Sequence, residues 1–321
     1  MPRWLPRTLE IAGWAVLAPL LGLCITQWFG IEGRRTITAF QALTPYALLC
    51  AVPVSLAASV TRRHALALVA LVPVVTLLVL AFPVVFHTTA AEAQAGAPRL
   101  TVAFANCYFE NPTPAPTAAA MAATDADVLV MVEYTPQLHD ALVAVLHDDY
   151  PYRLERARLD GGGVAVWSRF PVLTGGITRV SDRPTVDVTI DVHGRTVRVL
   201  GVHTFPPTHN AKDWQQQLRD IGTTAGDSSL PTVIVGDFNA SWWHPSFRAL
   251  LHQGWRDTHQ TLGQGWGASW PANRGWLPPP FVRIDHALFR SPVTPIAIRD
   301  LHVPGSDHVG LVATFAVNST G

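Results

Sequence analysis

Asp237 and Asn239 are the most informative polar pair of the chain, and they follow directly after the apolar run Thr232–Val235. A short run rich in β-branched residues predicts a buried strand, so the pair would lie at the edge of a sheet. Side chains two residues apart point the same way on an extended backbone. A carboxylate that accepts a proton from water, beside an amide that holds a phosphate oxygen, predicts one half of a phosphate-hydrolysing site.

Acids, amides and histidines also accompany the other predicted strands: Asn106, Glu133, His203, Asp285, Asp307 and His308. In layered α/β folds, functional side chains gather where strands end. We therefore expect these residues to supply the other half of the site. The alternatives are structural, since Asn106 could form a plain turn and Asp285 could pair with Arg283.

Short strands, separated by helices and long loops, must position these residues. The predicted strands are Leu100–Ala105, Val128–Val132, Gly163–Trp167, Thr185–Val192, Thr196–Val202, Thr232–Val235, Arg283–Phe289 and Leu311–Val317. The predicted helices are Ala115–Ala123, Pro136–His147 and Lys212–Ala225. A turn at His193-Gly194 predicts a hairpin between the fourth and fifth strands. This mixture predicts an α/β fold with two layered mixed sheets covered by helices.

The first part of the chain has a different composition. The whole sequence is 49% hydrophobic and 14% charged, whereas soluble domains carry about 25% charged residues. Three segments lack acidic and basic residues, namely Ile11–Phe29, Ile37–Val60 and Ala65–Phe86. Each is long enough to cross a bilayer as a helix. We therefore expect a membrane anchor with three transmembrane helices over residues 1–87, a small-residue linker over 88–97 and a catalytic domain over 98–321.

Arginines predict the orientation of these three spans. Arg3, Arg7, Arg62 and Arg63 would lie on one side of the membrane, and Arg34 and Arg35 on the other. Positive residues favour the cytoplasmic side. The amino terminus is therefore expected in the cytoplasm, with the catalytic domain outside the membrane.

Charge and cysteine content restrict the function of the outer domain. From residue 88 onward, 21 acidic residues outnumber 17 basic residues. A nucleic-acid-binding domain normally carries a basic excess, so the charge argues against nucleic acid as the partner. Cys107 is the single cysteine of this part of the chain, so the domain must be held by its core without an internal disulfide.

Taken together, the motifs resemble those of the endonuclease/exonuclease/phosphatase superfamily. They occur in the family order over residues 98–317: Ala105-Asn106, Val132-Glu133, Trp167-Ser168-Arg169-Phe170-Pro171, Val202-His203, Gly236-Asp237-Phe238-Asn239-Ala240, Ile284-Asp285-His286 and Ser306-Asp307-His308. The resemblance implies a DNase I-like four-layer α/β sandwich of two mixed sheets. It also implies a phosphoric ester hydrolase that depends on Mg²⁺ or Mn²⁺.

The resemblance also assigns a role to each site residue. Glu133 would be the main metal ligand, assisted by Asn106 and Asp307. Asp237 would orient or deprotonate the attacking water, while Asn239 and His203 would hold phosphate oxygens. His308 would stabilise the charge that develops on phosphorus, and Asp285 would fix its ring. Tyr108 stands where many nucleases of the family carry a second acidic metal contact.

Two features bear on the substrate: the predicted membrane anchor and a group of tryptophans near the site. The tryptophans are Trp242, Trp243, Trp266, Trp270 and Trp276, and indole rings favour the membrane interface; packing within long loops is the alternative. The chain resembles membrane-anchored members of the family, including the actinobacterial teicoplanin-resistance (VanJ-like) type, which is associated with undecaprenyl pyrophosphate recycling. This favours a lipid-linked phosphate or pyrophosphate as the substrate. The competing hypotheses are a Mg²⁺-dependent nuclease, a sphingomyelinase-like phospholipase and an inactive membrane-bound scaffold.

Overall fold

A computed structural model of the chain describes residues 5–86, 92–273, 275 and 279–319. Within these residues, twelve strands form two six-stranded sheets. The first sheet consists of β1 (Arg99–Asn106), β2 (Val128–Val132), β3 (Tyr152–Arg156), β4 (Val164–Ser168), β11 (Val293–His302) and β12 (Val309–Val317), in the order β11-β12-β1-β2-β4-β3. The second consists of β5 (Val172–Val180), β6 (Arg183–Val192), β7 (Arg195–His203), β8 (Thr232–Asp237), β9 (Arg256–Asp257) and β10 (Asp285–Phe289), in the order β5-β6-β7-β8-β10-β9.

The two sheets pack face to face through alternate residues of their strands. Val102 and Phe104 of the first sheet join Val199 and Val235 of the second in one buried core. The residues between them, such as Ala103, point outward to the helices. This alternation, which follows from the period of two along a strand, gives each sheet two apolar faces and requires a layer on each side.

Helices supply the two outer layers. The first sheet is covered by α6 (Pro114–Ala122) and α7 (Pro136–Leu146), and the second by α8 (Ala211–Gly226) and α9 (Pro245–Leu251), with the short α10 (Thr258–Thr261) nearby. The expected four-layer α/β sandwich of two mixed sheets is therefore confirmed. The eight predicted strands and three predicted helices are all present, and β6 and β7 meet at His193-Gly194 as expected.

The N-terminal apolar segment contains α1 (Leu5–Phe29), α2 (Arg35–Ala42), α3 (Thr44–Leu49), α4 (Ala51–Val60) and α5 (His64–Val85). Two helices are long and apolar enough to cross a membrane, Glu10–Phe29 and His64–Val85. The second expected span instead bends by 67° between Ala42 and Thr44. The number of possible spans reaches three only if the bent pair counts as one span. The linker prediction falls partly on residues 87–91, which lie outside the described part of the chain.

The helical segment is fixed to the sandwich by polar contacts. Oε2 of Glu32 accepts hydrogen bonds from the backbone N of Ser246 at 3.0 Å and from Nε2 of Gln215 at 3.1 Å. Gln27 donates to the carbonyl of Trp243 at 2.8 Å and accepts from Arg248 at 2.9 Å. Glu32 therefore caps the start of α9 from outside the sandwich, since free backbone N–H groups occur at the start of every helix.

The end of α5 makes the second set of contacts. Nε1 of Trp242 donates to the carbonyl of Leu80 at 2.8 Å, and Gln260 donates to the carbonyl of Pro83 at 2.9 Å. Trp243 packs against Leu80 and also against the ring of Trp266. The loop after Asn239 is therefore held by the N-terminal apolar helices. Trp276 lies outside the described residues.

Candidate phosphoesterase site

The predicted site residues converge at one edge of the sandwich. Asn106, His203 and Asp237 are the last residues of β1, β7 and β8, and Glu133 follows directly after β2. Strands β8 and β10 are antiparallel, so Asp285 at the start of β10 lies opposite Asp237. Antiparallel pairing of β12 with β1 brings Asp307 and His308, which directly precede β12, to the same edge. The two sheets thus contribute to a single site.

Asn106, Glu133 and Asp237 form its centre. Nδ2 of Asn106 donates to Oε1 of Glu133 and to Oδ2 of Asp237, both at 3.1 Å. The backbone N of Phe109 donates to the other oxygen of Glu133 at 3.0 Å. Asn106 and Asp237 are buried, whereas the side chain of Glu133 is 14% exposed. Two carboxylates from different sheets therefore share one amide group at the mouth of the site.

The backbone is strained around this centre. Tyr108, Glu133 and Asn239 have positive φ angles of 57°, 53° and 46°. Residues other than glycine rarely adopt this region, and such conformations cluster at functional sites. The surrounding hydrogen bonds hold the strained turns in place, since Oδ1 of Asp237 accepts from the backbone N of Asn239 at 2.8 Å.

His203 is held in one tautomer by Arg183. Nη2 of Arg183 lies 2.7 Å from Nδ1 of His203, and an arginine can only donate. Nδ1 is therefore the acceptor, and the ring proton is on Nε2, which lies 3.7 Å from Oε1 of Glu133 and 3.6 Å from Oδ2 of Asp237. Burial, with help from the positive charges of Arg183 and His308, lowers the pKa of His203 well below its usual value. A neutral ring thus presents one N–H donor to the centre.

His308 has the opposite character. Its Nδ1 donates to Oδ2 of Asp285 at 2.9 Å, and its Nε2 faces the centre, 3.8 Å from Oδ2 of Asp237. Burial alone would lower the pKa of His308, but the Asp285 and Asp237 carboxylates outweigh it and raise the pKa to about 10. The site therefore contains one neutral imidazole and one imidazolium, both directed at the same space.

The remaining contacts position these groups. Nδ2 of Asn239 donates to the carbonyl of Thr204 at 3.0 Å and makes a longer contact of 3.4 Å with Oδ2 of Asp237. Oδ2 of Asp307 accepts from Nε1 of Trp270 at 3.3 Å. Ser306 donates to the carbonyl of Asn106 at 2.7 Å and accepts from the backbone N of His308 at 3.0 Å. Ser306 therefore links the end of β1 to the start of β12.

The donor set suits a hard divalent cation. Carboxylate oxygens are the preferred protein ligands of Mg²⁺, and a buried acidic cluster is present. The tightest group is Asp237, Asp285 and His308, whose ligand atoms lie within 4.8 Å of one another. However, His308 and Asp285 are already bonded to each other, and a positively charged ring repels a cation. Glu133, which is partly open to solvent, is the better ligand.

Asn106 departs from its expected metal-binding role in one respect. Its amide nitrogen, not its oxygen, faces the two carboxylates, while Oδ1 accepts from the backbone N of Tyr108 at 3.0 Å. It would bind a metal only with the amide turned over. The hydroxyl of Tyr108 donates to Oε2 of Glu110 at 2.7 Å.

The structure brings together all eight residues that the sequence predicted for the site. Asp285 bonds to His308 and not to Arg283, which instead bonds to Asp300 at 3.1 Å. Sequence reasoning missed two supporting residues, Arg183 and Ser269, and gave no role to Ser306 although its motif was recognised. The hydroxyl of Ser269 accepts from the backbone N of Asp285 at 3.1 Å. Neither Arg183 nor Ser269 stands out by spacing or motif, because each acts through a contact distant in sequence.

The fold and the site are of the DNase I-like phosphoesterase class, and comparison with known families agrees. The model of the endonuclease/exonuclease/phosphatase family matches residues 103–308. The chain therefore belongs to this family. No curated protein sequence matches the chain.

Solved structures resemble the sandwich in fold. Zebrafish (D. rerio) TDP2 complexed with a single-strand DNA product is 18% identical, with a TM-score of 0.59, covering 69% of this chain and 99% of TDP2. A family member from Beutenbergia cavernae is 23% identical, with a TM-score of 0.56, covering 69% of this chain and 72% of that chain. The beta toxin of Staphylococcus aureus is 18% identical, with a TM-score of 0.50, and the match covers 67% of this chain and 99% of that chain. At these identities the likeness concerns the fold alone.

Proposed function

We propose that the protein is a membrane-anchored, metal-dependent phosphoesterase that hydrolyses a lipid-linked phosphate or pyrophosphate, such as undecaprenyl pyrophosphate, at the outer face of the membrane. One observation carries the proposal. The loop that follows Asp237 and Asn239 is itself the surface on which the apolar helices dock, through Trp242 and Trp243, and Arg248 of the following helix α9 adds a further contact. A phosphate site fixed to an apolar anchor fits a substrate that is part phosphate and part lipid.

The chain's own groups divide the chemistry as follows. Asp237 orients the attacking water and accepts its proton, because burial raises the pKa of this carboxylate above its usual range. The N–H of His203 holds one phosphate oxygen, and the N–H of Asn239 that makes the long 3.4 Å contact with Oδ2 of Asp237 holds another. The His308 imidazolium, oriented by Asp285, faces the charge that develops on phosphorus. These donors are fixed before the substrate binds, so little reorganisation is needed.

A divalent cation, Mg²⁺ or Mn²⁺, would be held by Glu133, with Asp307 and Asn106 beside it. When bound, it polarises the phosphoryl group and offsets negative charge. Glu133 is suited to this because its carboxylate keeps lone pairs free beyond the two hydrogen bonds that it accepts.

We also propose that the chain is a multi-pass protein of the cell membrane with its amino terminus in the cytoplasm. It is supported by the distribution of charge in the helical segment. Arg62 and Arg63 lie at the turn between α4 and α5, where Arg63 pairs with Glu10, whereas α1 and α5 both end against the sandwich. This turn and the start of α1, which carries Arg7, therefore lie at the end of the helices away from the sandwich. Their three arginines outnumber Arg34 and Arg35 at the sandwich end, which favours an outward domain under the positive-inside rule.

One assay separates the candidate functions. The full chain in phospholipid nanodiscs is given undecaprenyl pyrophosphate, plasmid DNA or sphingomyelin, with Mg²⁺ and then with EDTA. We expect phosphate release from the lipid pyrophosphate, loss of at least about 100-fold of the rate with EDTA, and recovery when Mg²⁺ is returned. Nicking of DNA, or release of phosphocholine, would replace the proposal with a nuclease or a phospholipase. No turnover in any assay would favour the inactive scaffold.

Orientation has its own test. Alkaline phosphatase fused after Ala97 should be active in cells, since it would be exported. An inactive fusion, with an active cytoplasmic reporter at the same position, would reverse the proposed orientation.

A further inference from the structure

A cleft connects the bent membrane segment to the candidate phosphate site. It has a volume of about 320 Å³ and is lined on one side by Ala39, Ala42 and Leu43 and on the other by Pro206, Trp270 and Phe281. The first three residues lie on α2 and at its bend with α3. The other three belong to the sandwich. The cleft exists, therefore, only because the anchor is docked on the domain.

The inner end of the cleft reaches residues of the phosphate site. Asn239, whose Nδ2 donates to Thr204 at 3.0 Å and more weakly to Asp237 of the site at 3.4 Å, forms part of its lining. Trp270 lines it as well, and its Nε1 donates to Asp307 at 3.3 Å. A group that fills the cleft would thus touch the neighbours of a bound phosphate.

The outer end of the cleft lies at the break in the apolar segment. The chain bends by 67° around Leu43, and the side chains of Phe40, Leu43 and Tyr46 on either side of the bend are exposed. The hydroxyl of Tyr46 donates to the carbonyl of Phe281 at 2.7 Å, which closes the anchor against the sandwich. The apolar surface is therefore continuous from the exposed helices to Trp270.

The histidine that lines the cleft has both ring nitrogens engaged within the protein. His244 accepts from the backbone N of Ser241 at its Nδ1, and its Nε2 lies 3.1 Å from the carbonyl of Thr38. Burial lowers the pKa of His244 to about 4, so the ring adds no charge at neutral pH. A sugar or a base would find few partners there, whereas an apolar chain needs none.

We propose that this cleft binds the apolar chain attached to the phosphate group of the substrate. The inference rests on the proposed phosphoesterase function and names the part of the substrate that the anchor recognises. Small-molecule sites have volumes of about 300–1,000 Å³. The cleft is at the lower end of this range, so it would hold the segment nearest the phosphate and leave the rest of a long chain in the bilayer.

A series of diphosphates tests the cleft. The full chain in nanodiscs is given inorganic pyrophosphate, isopentenyl diphosphate, geranyl diphosphate and farnesyl diphosphate with Mg²⁺, and phosphate release gives kcat/KM for each. We expect kcat/KM to rise by at least about tenfold from isopentenyl to farnesyl diphosphate, because each buried methylene group adds to binding. Equal values across the series would overturn the cleft while leaving the phosphoesterase function intact. If none of the diphosphates is hydrolysed, the proposed function itself fails.

Substitutions within the anchor give the matched control. Ala39→Trp places an indole in the cleft, whereas Ala57→Trp places the same side chain on an exposed position of α4. Ala39→Trp should lower kcat/KM for farnesyl diphosphate by about tenfold and change that for isopentenyl diphosphate by less than about twofold. Ala57→Trp should leave both values unchanged.

A second variant guards against misfolding. Leu43→Gln introduces a polar group at an exposed position and should reduce the chain-length preference without changing the melting temperature. An identical effect of Ala39→Trp and Ala57→Trp, or an unchanged preference in Leu43→Gln, would show that the chain binds elsewhere.

Discussion

Two buried histidine–aspartate pairs begin at neighbouring residues of β10 and lie on opposite faces of the same sheet. Asp285 points between the sheets and accepts from Nδ1 of His308 at 2.9 Å. The next residue, His286, points to the outer layer, where its Nδ1 lies 2.6 Å from Oδ2 of Asp257. Alternation along a strand sends consecutive side chains to opposite faces. One strand therefore supports two pairs of the same chemical type.

The two pairs differ in what the second ring nitrogen faces. Nε2 of His308 lies within 3.9 Å of Asp237 and Asp307, in the space expected for phosphate. Nε2 of His286 lies 2.9 Å from the carbonyl of Ala240, so both of its nitrogens face protein oxygens. A buried pair is therefore a functional candidate only when one nitrogen is left for a ligand. The His286 pair instead fixes the loop that follows Asn239.

The largest difference should come from changing each histidine to glutamine. His308→Gln removes the imidazolium and should lower kcat by about 1,000-fold. His286→Gln should change kcat by less than about threefold, because the ring does not reach the site. Phosphate release from the lipid pyrophosphate measures both, and circular dichroism confirms the fold. Comparable losses of activity in the two folded variants would remove the distinction between the pairs.

Asp285→Asn should have the next largest effect. The amide cannot stabilise the imidazolium as the carboxylate does, so kcat should fall by about 100-fold with KM nearly unchanged. As the pH rises, the variant should lose activity at a lower pH than the native chain does, because His308 would release its proton more readily. A pH profile that does not move would reduce Asp285 to a structural role.

Asp257→Asn should act on stability instead of activity. It replaces a buried carboxylate that faces His286 and that also accepts from the backbone N of Gln260 at 2.8 Å, at the start of α10. We expect the free energy of unfolding to fall by about 2 kcal/mol. Thermal unfolding followed by circular dichroism measures this, and Asp285→Asn serves as the comparison. A marked fall in kcat without a fall in the free energy of unfolding would contradict the structural role of Asp257.

The smallest expected effect is a dependence of stability on acid pH. Burial acts to raise the pKa of Asp257, but the charge and hydrogen bond of His286 outweigh it and lower the pKa to about 2. Since the folded-state pKa lies below the unfolded value of about 3.9, this stabilisation is complete above about pH 4 and is lost as the pH falls through about 2. The melting temperature of the native chain should therefore fall more steeply between these pH values than that of Asp257→Asn. Parallel curves would refute it.

Sequence patterns predicted the inner strands and missed the outer ones. The four strands that periodicity did not predict, β3, β5, β9 and β11, are the four edges of the two sheets in the described chain. Inner strands are buried on both faces and read as apolar runs. Edge strands carry exposed charges, glycines or a bulge, as with Gly175-Gly176 in β5 and the irregularity after Pro295 in β11. Their stability comes from a neighbouring strand, which a local pattern does not contain.

The same limit applies to the site and to the N-terminal apolar segment. The charged and amide groups at strand ends could be predicted because each follows a recognisable apolar run. Arg183 could not, since its role is defined by a 2.7 Å contact with His203, twenty residues away. The bend at Leu43 could not be predicted either, because an uncharged run of that length reads as one straight helix. Whether this run forms one straight helix or a bent pair is decided by its contacts with the sandwich, which are distant in sequence.

The hydrogen bonds that Glu32 accepts from the start of α9 limit how far the sandwich can move. Together with the contacts of Trp242 and Gln260 to the end of α5, they hold the sandwich at two separate points, the loop after α1 and the end of α5. A domain held at two points cannot swing as it would on a single flexible linker. With the apolar helices in a bilayer, the site would stay at one height above the lipid surface. The site would then reach phosphate groups attached close to the membrane surface and would not reach those held farther out by longer polar groups.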